Sequence, residues 1–174
     1  MIQDEFKFYK PCKLLQPYVR YYWVFSSNQM LKTYTFPIGC SQIIFHKRTP
    51  LYVPELDTTQ HRLTISGQVN FSSHLQAEDE IEMIVVVFYP HTINVFLDTP
   101  ASSFYNKEVS GYDIEDKHLA ELAKQVFECE DNNHCVNLIE RWLLSRLSIR
   151  PYETTYRVRR MLAAIEQLCA APQT

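Results

Sequence analysis

From Val19 to Phe25 the side-chain character alternates, with Val19, Tyr21, Trp23 and Phe25 on one side and Arg20, Tyr22 and Val24 on the other. A period of two puts successive side chains on opposite faces of a strand, so this stretch predicts a strand with one strongly apolar and one mixed face. A second strand is predicted from Ser41 to Lys47. A third is predicted from Arg62 to Ser66, where Leu63 and Ile65 share a side before Gly67. Met83 to Tyr89 is a continuous valine-rich run, the signature of a strand covered on both faces. Phe36-Pro37-Ile38-Gly39 and Pro90-His91 supply breaks between these runs. Short strands at this spacing fit a sandwich or barrel, with a cupin-like jelly roll the candidate architecture.

Past Pro100 the period lengthens. Leu119, Leu122, Ala123, Val126 and Phe127 fall on one helical stripe, for which Asp113 is a candidate N-cap. A second helix, capped by Asp131 or Asn132 and ended by Pro151, carries Cys135, Leu138, Ile139, Trp142, Leu143 and Leu147 on one face. Strands followed by an antiparallel helical hairpin predict an α+β domain. A third stripe of Val158, Met161, Leu162, Ile165 and Leu168 predicts an amphipathic C-terminal helix whose apolar face needs a partner. The parse is one domain over 1–150, β-rich over 1–100 and helical over 112–150, followed by a linker and helix over 151–174 whose partner surface is expected in a further domain.

With 174 residues, 46% of them apolar, the chain can bury one real core but not two large ones. No run reaches the roughly 18 uncharged apolar residues of a membrane helix, and Asp4 and Glu5 stand where a secretory leader carries basic residues, so a cytoplasmic protein with no membrane partner is expected. Five cysteines without CxxC spacing argue against a disulfide framework or a structural zinc site. The net charge of -3 draws no nucleic acid, although Arg141 to Arg160 is locally basic, either as a solvated face or as ion pairs to the acidic helix before it.

The six histidines are scattered, with no His-x-His pair on a strand and no His-x-x-x-His on a helix; His46 and His91 are the pair a metal hypothesis would begin from. There is no Gly-x-Ser-x-Gly elbow and no glycine-rich phosphate loop, so no catalytic, metal or cofactor-binding residue is assigned. The aromatics are more suggestive, with eleven tyrosines, ten phenylalanines and two tryptophans available to line a pocket as well as a core. Arg20, Tyr22, Trp23, Gln42, His46 and His91 are the candidate ligand-binding residues, several of them polar on otherwise apolar strands. Leu138, Ile139, Trp142 and Leu143 either pack inside the hairpin or offer an apolar surface for dimerisation.

Leu15-Gln16-Pro17-Tyr18-Val19-Arg20-Tyr21-Tyr22-Trp23, Phe36-Pro37-Ile38-Gly39-Cys40-Ser41-Gln42-Ile43-Ile44-Phe45 and Ile65-Ser66-Gly67-Gln68 together resemble the N-terminal domain of AraC-family transcriptional regulators, particularly a subgroup common in Bacteroidetes. The likeness continues through Phe88-Tyr89-Pro90-His91, Phe96-Leu97-Asp98-Thr99-Pro100, Asn106-Lys107-Glu108-Val109-Ser110 and Leu138-Ile139-Glu140-Arg141-Trp142-Leu143-Leu144. The resemblance implies a regulatory domain that binds a small effector or forms a homodimer. It further implies that Arg157 to Leu168 is the first helix of a helix-turn-helix domain, and that DNA is met only through that C-terminal part. It carries over no effector contacts. The competing expectation is a cupin-like metal-dependent small-molecule enzyme, which would require at least three convergent histidine or carboxylate ligands.

Overall fold

The computed structural model describes residues 5–90, 92–149, 160, 161, 163 and 164. Among the described residues ten strands form two antiparallel sheets. The larger runs in the order β1 (Glu5–Tyr9), β2 (Val19–Ser27), β9 (Ile81–Phe88), β4 (Gln42–His46), β7 (Leu63–Ser66) and β10 (Glu108–Ser110). The smaller runs β3 (Leu31–Thr35), β8 (Ser73–Ala77), β5 (Tyr52–Val53) and β6 (Thr58–Thr59). The two helices, α1 (Lys117–Glu128) and α2 (Asn132–Ile149), follow the last strand and complete an α+β fold. The described strands form two separate hydrogen-bonded sheets and not one closed barrel.

The valine-rich run is the central strand of the larger sheet and is covered on both faces. Ile84, Val86 and Phe88 point into a core shared with Tyr22, Val24, Ile43, Phe45 and the helices. Ile81, Met83, Val85 and Val87 point the other way, into a smaller core that includes Ala77 and Leu75 of the second sheet. The larger sheet is thus a middle layer between a helical layer and the smaller sheet. Burial on both sides is why every position of β9 except Glu82 can be apolar.

The alternation in β2 changes phase once. Val19 pairs with Phe88 and Tyr21 with Val87, so Arg20 is the extra residue of a β-bulge. Val19 consequently joins Tyr22 and Val24 on the helical side, and Tyr21, Trp23 and Phe25 alone face the second sheet. The expectation that Val19 shares a face with Tyr21 fails for this reason.

Asp116, not Asp113, caps α1: its carboxylate accepts from the backbone N–H groups of His118 and Leu119, each at 3.0 Å. Asp113 lies instead in a short 3-10 turn over Gly111–Ile114. Asp131 caps α2 by accepting from the His134 N–H at 2.8 Å. Arg146 of α2 pairs with Asp116, which ties the two helices together at the α1 cap. Pro151 and nearly all of the predicted C-terminal helix lie outside the described residues; Arg160, Met161, Ala163 and Ala164 are helical.

Candidate functional site

The register of the larger sheet lays out a surface of graded polarity. Direct partners in antiparallel strands point to the same face. One row across the sheet therefore reads Tyr21, Val87, Gln42, Ser66 and Glu108. The next reads Phe8, Trp23, Val85 and Ile44, and a third Phe6, Phe25, Met83 and His46. The β1–β2 edge is aromatic, the β9–β4 centre aliphatic, and the β7–β10 edge polar. The first row crosses four strand spacings, about 19 Å along the sheet.

Between this surface and the smaller sheet lies a cavity of about 380 Å³, within the range that small-molecule sites occupy. Phe6 stacks on Trp23 with ring centroids 5.0 Å apart, and Phe8 meets Tyr21 edge-on at 5.4 Å. Phe6, Phe8, Tyr34 and Phe36 line the cavity and are each at least half exposed, so this aromatic side opens to solvent. The loop through Gly39 is held to the loop after Gly67 by the Gln68 side chain, which donates to the Gly39 carbonyl at 2.5 Å.

At the opposite side a chain of polar side chains, running from buried His46 and Gln60 to half-buried Glu108 and Ser66, borders the cavity. His46 Nε2 is 2.8 Å from Gln60 Oε1; Gln60 Nε2 donates to Glu108 Oε2 at 3.1 Å; Ser66 Oγ donates to Glu108 Oε1 at 3.0 Å. The Gln60–Glu108 bond joins the end of the smaller sheet to the edge of the larger. His46 is fully buried and its Nδ1 has no hydrogen-bond partner, so burial pushes its pKa down to about 4. Burial pushes the Glu108 carboxyl up to about 7, against the opposing pull of the hydrogen bonds from Ser66 and Gln60. Among the described residues, Glu108 is the one Asp, Glu, Lys, Arg or His side chain in the cavity wall.

The six candidate ligand-binding residues divide accordingly. Trp23 and Gln42 line the cavity, and His46 reaches it through Gln60. Tyr22 points to the helical side, where its hydroxyl donates to Glu140 at 3.2 Å. Burial and the neighbouring Glu140 carboxylate both raise the Tyr22 pKa, keeping the phenol neutral. Arg20 stands outward on the bulge, 3.8 Å from Cys40 Sγ and over the Tyr21 ring. His91 lies outside the described residues. Glu108, Ser66 and Gln60 are the residues that sequence reasoning missed. The available signal was a carboxylate heading the apolar-polar triplet Glu108-Val109-Ser110.

Ile139, Trp142 and Leu143 are buried in the helical core and Leu138 is packed against it, so this chain's own interior occupies the stripe considered for dimerisation. Among the described residues no three His, Cys, Asp or Glu side chains are grouped as a metal site would need, and no helix is long and apolar enough to cross a membrane.

Fold and cavity together define an α+β domain in which two facing sheets enclose a ligand-sized space, backed by a helical hairpin. The chain belongs to the family described as a domain of unknown function, DUF6597, whose family model matches residues 7–110. The match ends on the last residue of β10 and so takes in every cavity residue from Phe8 to Glu108. Comparison with curated proteins gives no match, and comparison with solved structures gives none either.

Proposed function

We propose that this chain is the regulatory module of an AraC-type bacterial transcription factor, in which the inter-sheet cavity binds a small effector. The observation that carries the reading is the cavity itself, of about 380 Å³, with an aromatic side open to solvent and a polar side at Gln60 and Glu108. An unfilled space of this size between two sheets weakens packing, and its polar wall gives a ligand fixed points of recognition. The order and spacing of the AraC-like segments supply the regulatory part of the reading, and DUF6597 domains often sit in AraC-like proteins.

In this reading the two sheets are an opened cupin-like jelly roll in a cytoplasmic protein. The hairpin and the segment after it couple the cavity to a DNA-binding domain, and the regulator works as a homodimer. The coupling has a physical route. Glu140 on α2 accepts from the Tyr22 hydroxyl and from the Cys12 N–H at 2.8 Å, and Tyr22 lies between Tyr21 and Trp23, which line the cavity. A shift of β2 at the cavity is thereby felt at α2.

Thermal denaturation against a panel of sugars, small carboxylates, amines and aromatic metabolites tests the proposal, because a ligand that binds the folded state raises the melting temperature by mass action. A reproducible shift that disappears in Gln42→Leu supports the cavity as effector site. Shifts unaffected by cavity substitutions place binding elsewhere and contradict it.

A further inference from the structure

The chemistry of the cavity wall narrows what it can hold. Glu108 has both carboxylate oxygens engaged by neutral donors, Ser66 and Gln60, and no lysine, arginine or histidine is among the described residues that line the same space. A carboxylate withdrawn from water without a countercharge is costly, and a bound cation is the partner that offsets the cost. At the other side the wall presents the rings of Trp23, Tyr21 and Phe8, which supply apolar contact and whose faces attract cations. The two sides are separated by most of the width of the sheet, so a ligand touching both is elongated, with its polar end at Glu108.

We propose that the effector is an organic cation, a protonated amine carried on an extended aromatic or alkyl body. The ammonium group sits against Glu108, with Gln42 as an accessory acceptor, and the body lies along the aliphatic floor of Val85 and Ile44 toward Trp23. Burial pushes the Glu108 carboxyl up to about 7, and a cation set against it would pull that value back down. Carboxylate effectors are disfavoured by the same geometry. The proposal rests on the cavity being the effector site, and the test separates the two.

Two matched series differ only in the head group: phenethylamine, 2-phenylethanol and 3-phenylpropionate, and octylamine, 1-octanol and nonanoate. Isothermal titration of the full chain with each at pH 8 is expected to show the amine binding at least tenfold tighter than the alcohol or the carboxylate. Glu108→Gln, which keeps the side-chain shape, an acceptor oxygen for Gln60 and a donor that the Ser66 hydroxyl can accept, is expected to remove most of that preference while leaving alcohol affinity within about threefold. A carboxylate or alcohol that matches the amine, or an amine preference that survives Glu108→Gln, overturns the cationic assignment and leaves the cavity reading standing. Failure of all six compounds to bind at millimolar concentration contradicts both.

Discussion

Glu108 and His46 sit two hydrogen bonds apart, joined through Gln60, and burial moves their proton affinities in opposite directions. Glu108 holds its proton more tightly when folded, its pKa moving from 4.5 to about 7, so its contribution is present below about pH 4.5 and is lost as pH rises through 7. His46 behaves in reverse. Its pKa falls from 6.5 to about 4, so its contribution is present above 6.5 and is lost as pH falls through 4. Each effect amounts to at most roughly 3 kcal/mol, and they nearly cancel between about pH 4.5 and 6.5. Denaturant unfolding should therefore show a flat stability profile for the native chain over that window. Glu108→Gln should leave a profile that climbs with pH, and parallel profiles for the two proteins would refute the assignment. Gly67 makes a different kind of demand: a Cβ there would lie 1.6 Å from the Phe104 carbonyl oxygen, a backbone atom that cannot swing aside. Gly67→Ala should lower stability by about 3 kcal/mol or more, measured by the same method. Of the cavity residues, Trp23 and Gln42 were visible in the sequence because each stands on a strongly patterned strand. Glu108 was not, because its burial comes from Ser66 and Gln60, more than forty residues away. Val19 and Arg20 were misplaced by a single bulge, which shifts the alternation by one position and leaves no mark in composition, whereas Tyr22 keeps its expected face and that face meets the helices instead of the cavity.

The elements that read clearly in the chain are those with neighbours on both sides. Segments predicted at Ser41–Lys47, Arg62–Ser66 and Met83–Tyr89 appear as β4, β7 and β9, because central strands need the longest apolar runs. The strands β1, β3, β5, β6, β8 and β10 went unassigned. All are short; β1 and β3 are edge strands whose side chains are mostly exposed, and in β1 the alternation of Phe6 and Phe8 with Glu5 and Lys7 spans too few residues to stand out. β10 also lies past Pro100, where helical periodicity was expected to begin; its place is fixed by pairing with β7. Both helices were legible from their stripes, and only the cap of α1 moved, from Asp113 to Asp116. Asp116 also pairs with Arg146, so it has two roles. Asp116→Ala should lower stability by about 1–2 kcal/mol through loss of the cap, and the accompanying Arg146→Ala should add less than its single effect because the pair is already broken. Additive losses in that double-mutant cycle would show that the ion pair contributes nothing.

Three layers set what the domain can transmit. The larger sheet is shared by two cores, one filled by the hairpin and one partly hollow, so occupation of the hollow side bears on the packed side through the same strands. Tyr22 and Glu140 join the larger sheet to α2 by a hydrogen bond, and under the proposed function Glu140→Gln should weaken the coupling of effector binding to a downstream response while leaving effector affinity within a few-fold. The proposed division of labour, which gives DNA binding to a separate domain, predicts that residues 1–174 give no sequence-specific gel shift on operator DNA and that a chain carrying that domain does. Specific retardation by residues 1–174 alone would sink this view.

The tryptophan content offers a direct probe of the central claim. Of the two tryptophans, Trp23 lines the cavity and Trp142 is buried in the helical core, so Trp142→Phe leaves Trp23 as the only indole. Titrating that variant with the tightest amine of the phenyl and octyl series should give a saturable change in Trp23 emission at the same concentration that raises the melting temperature. A melting shift with unchanged Trp23 emission would contradict the cavity as the effector site.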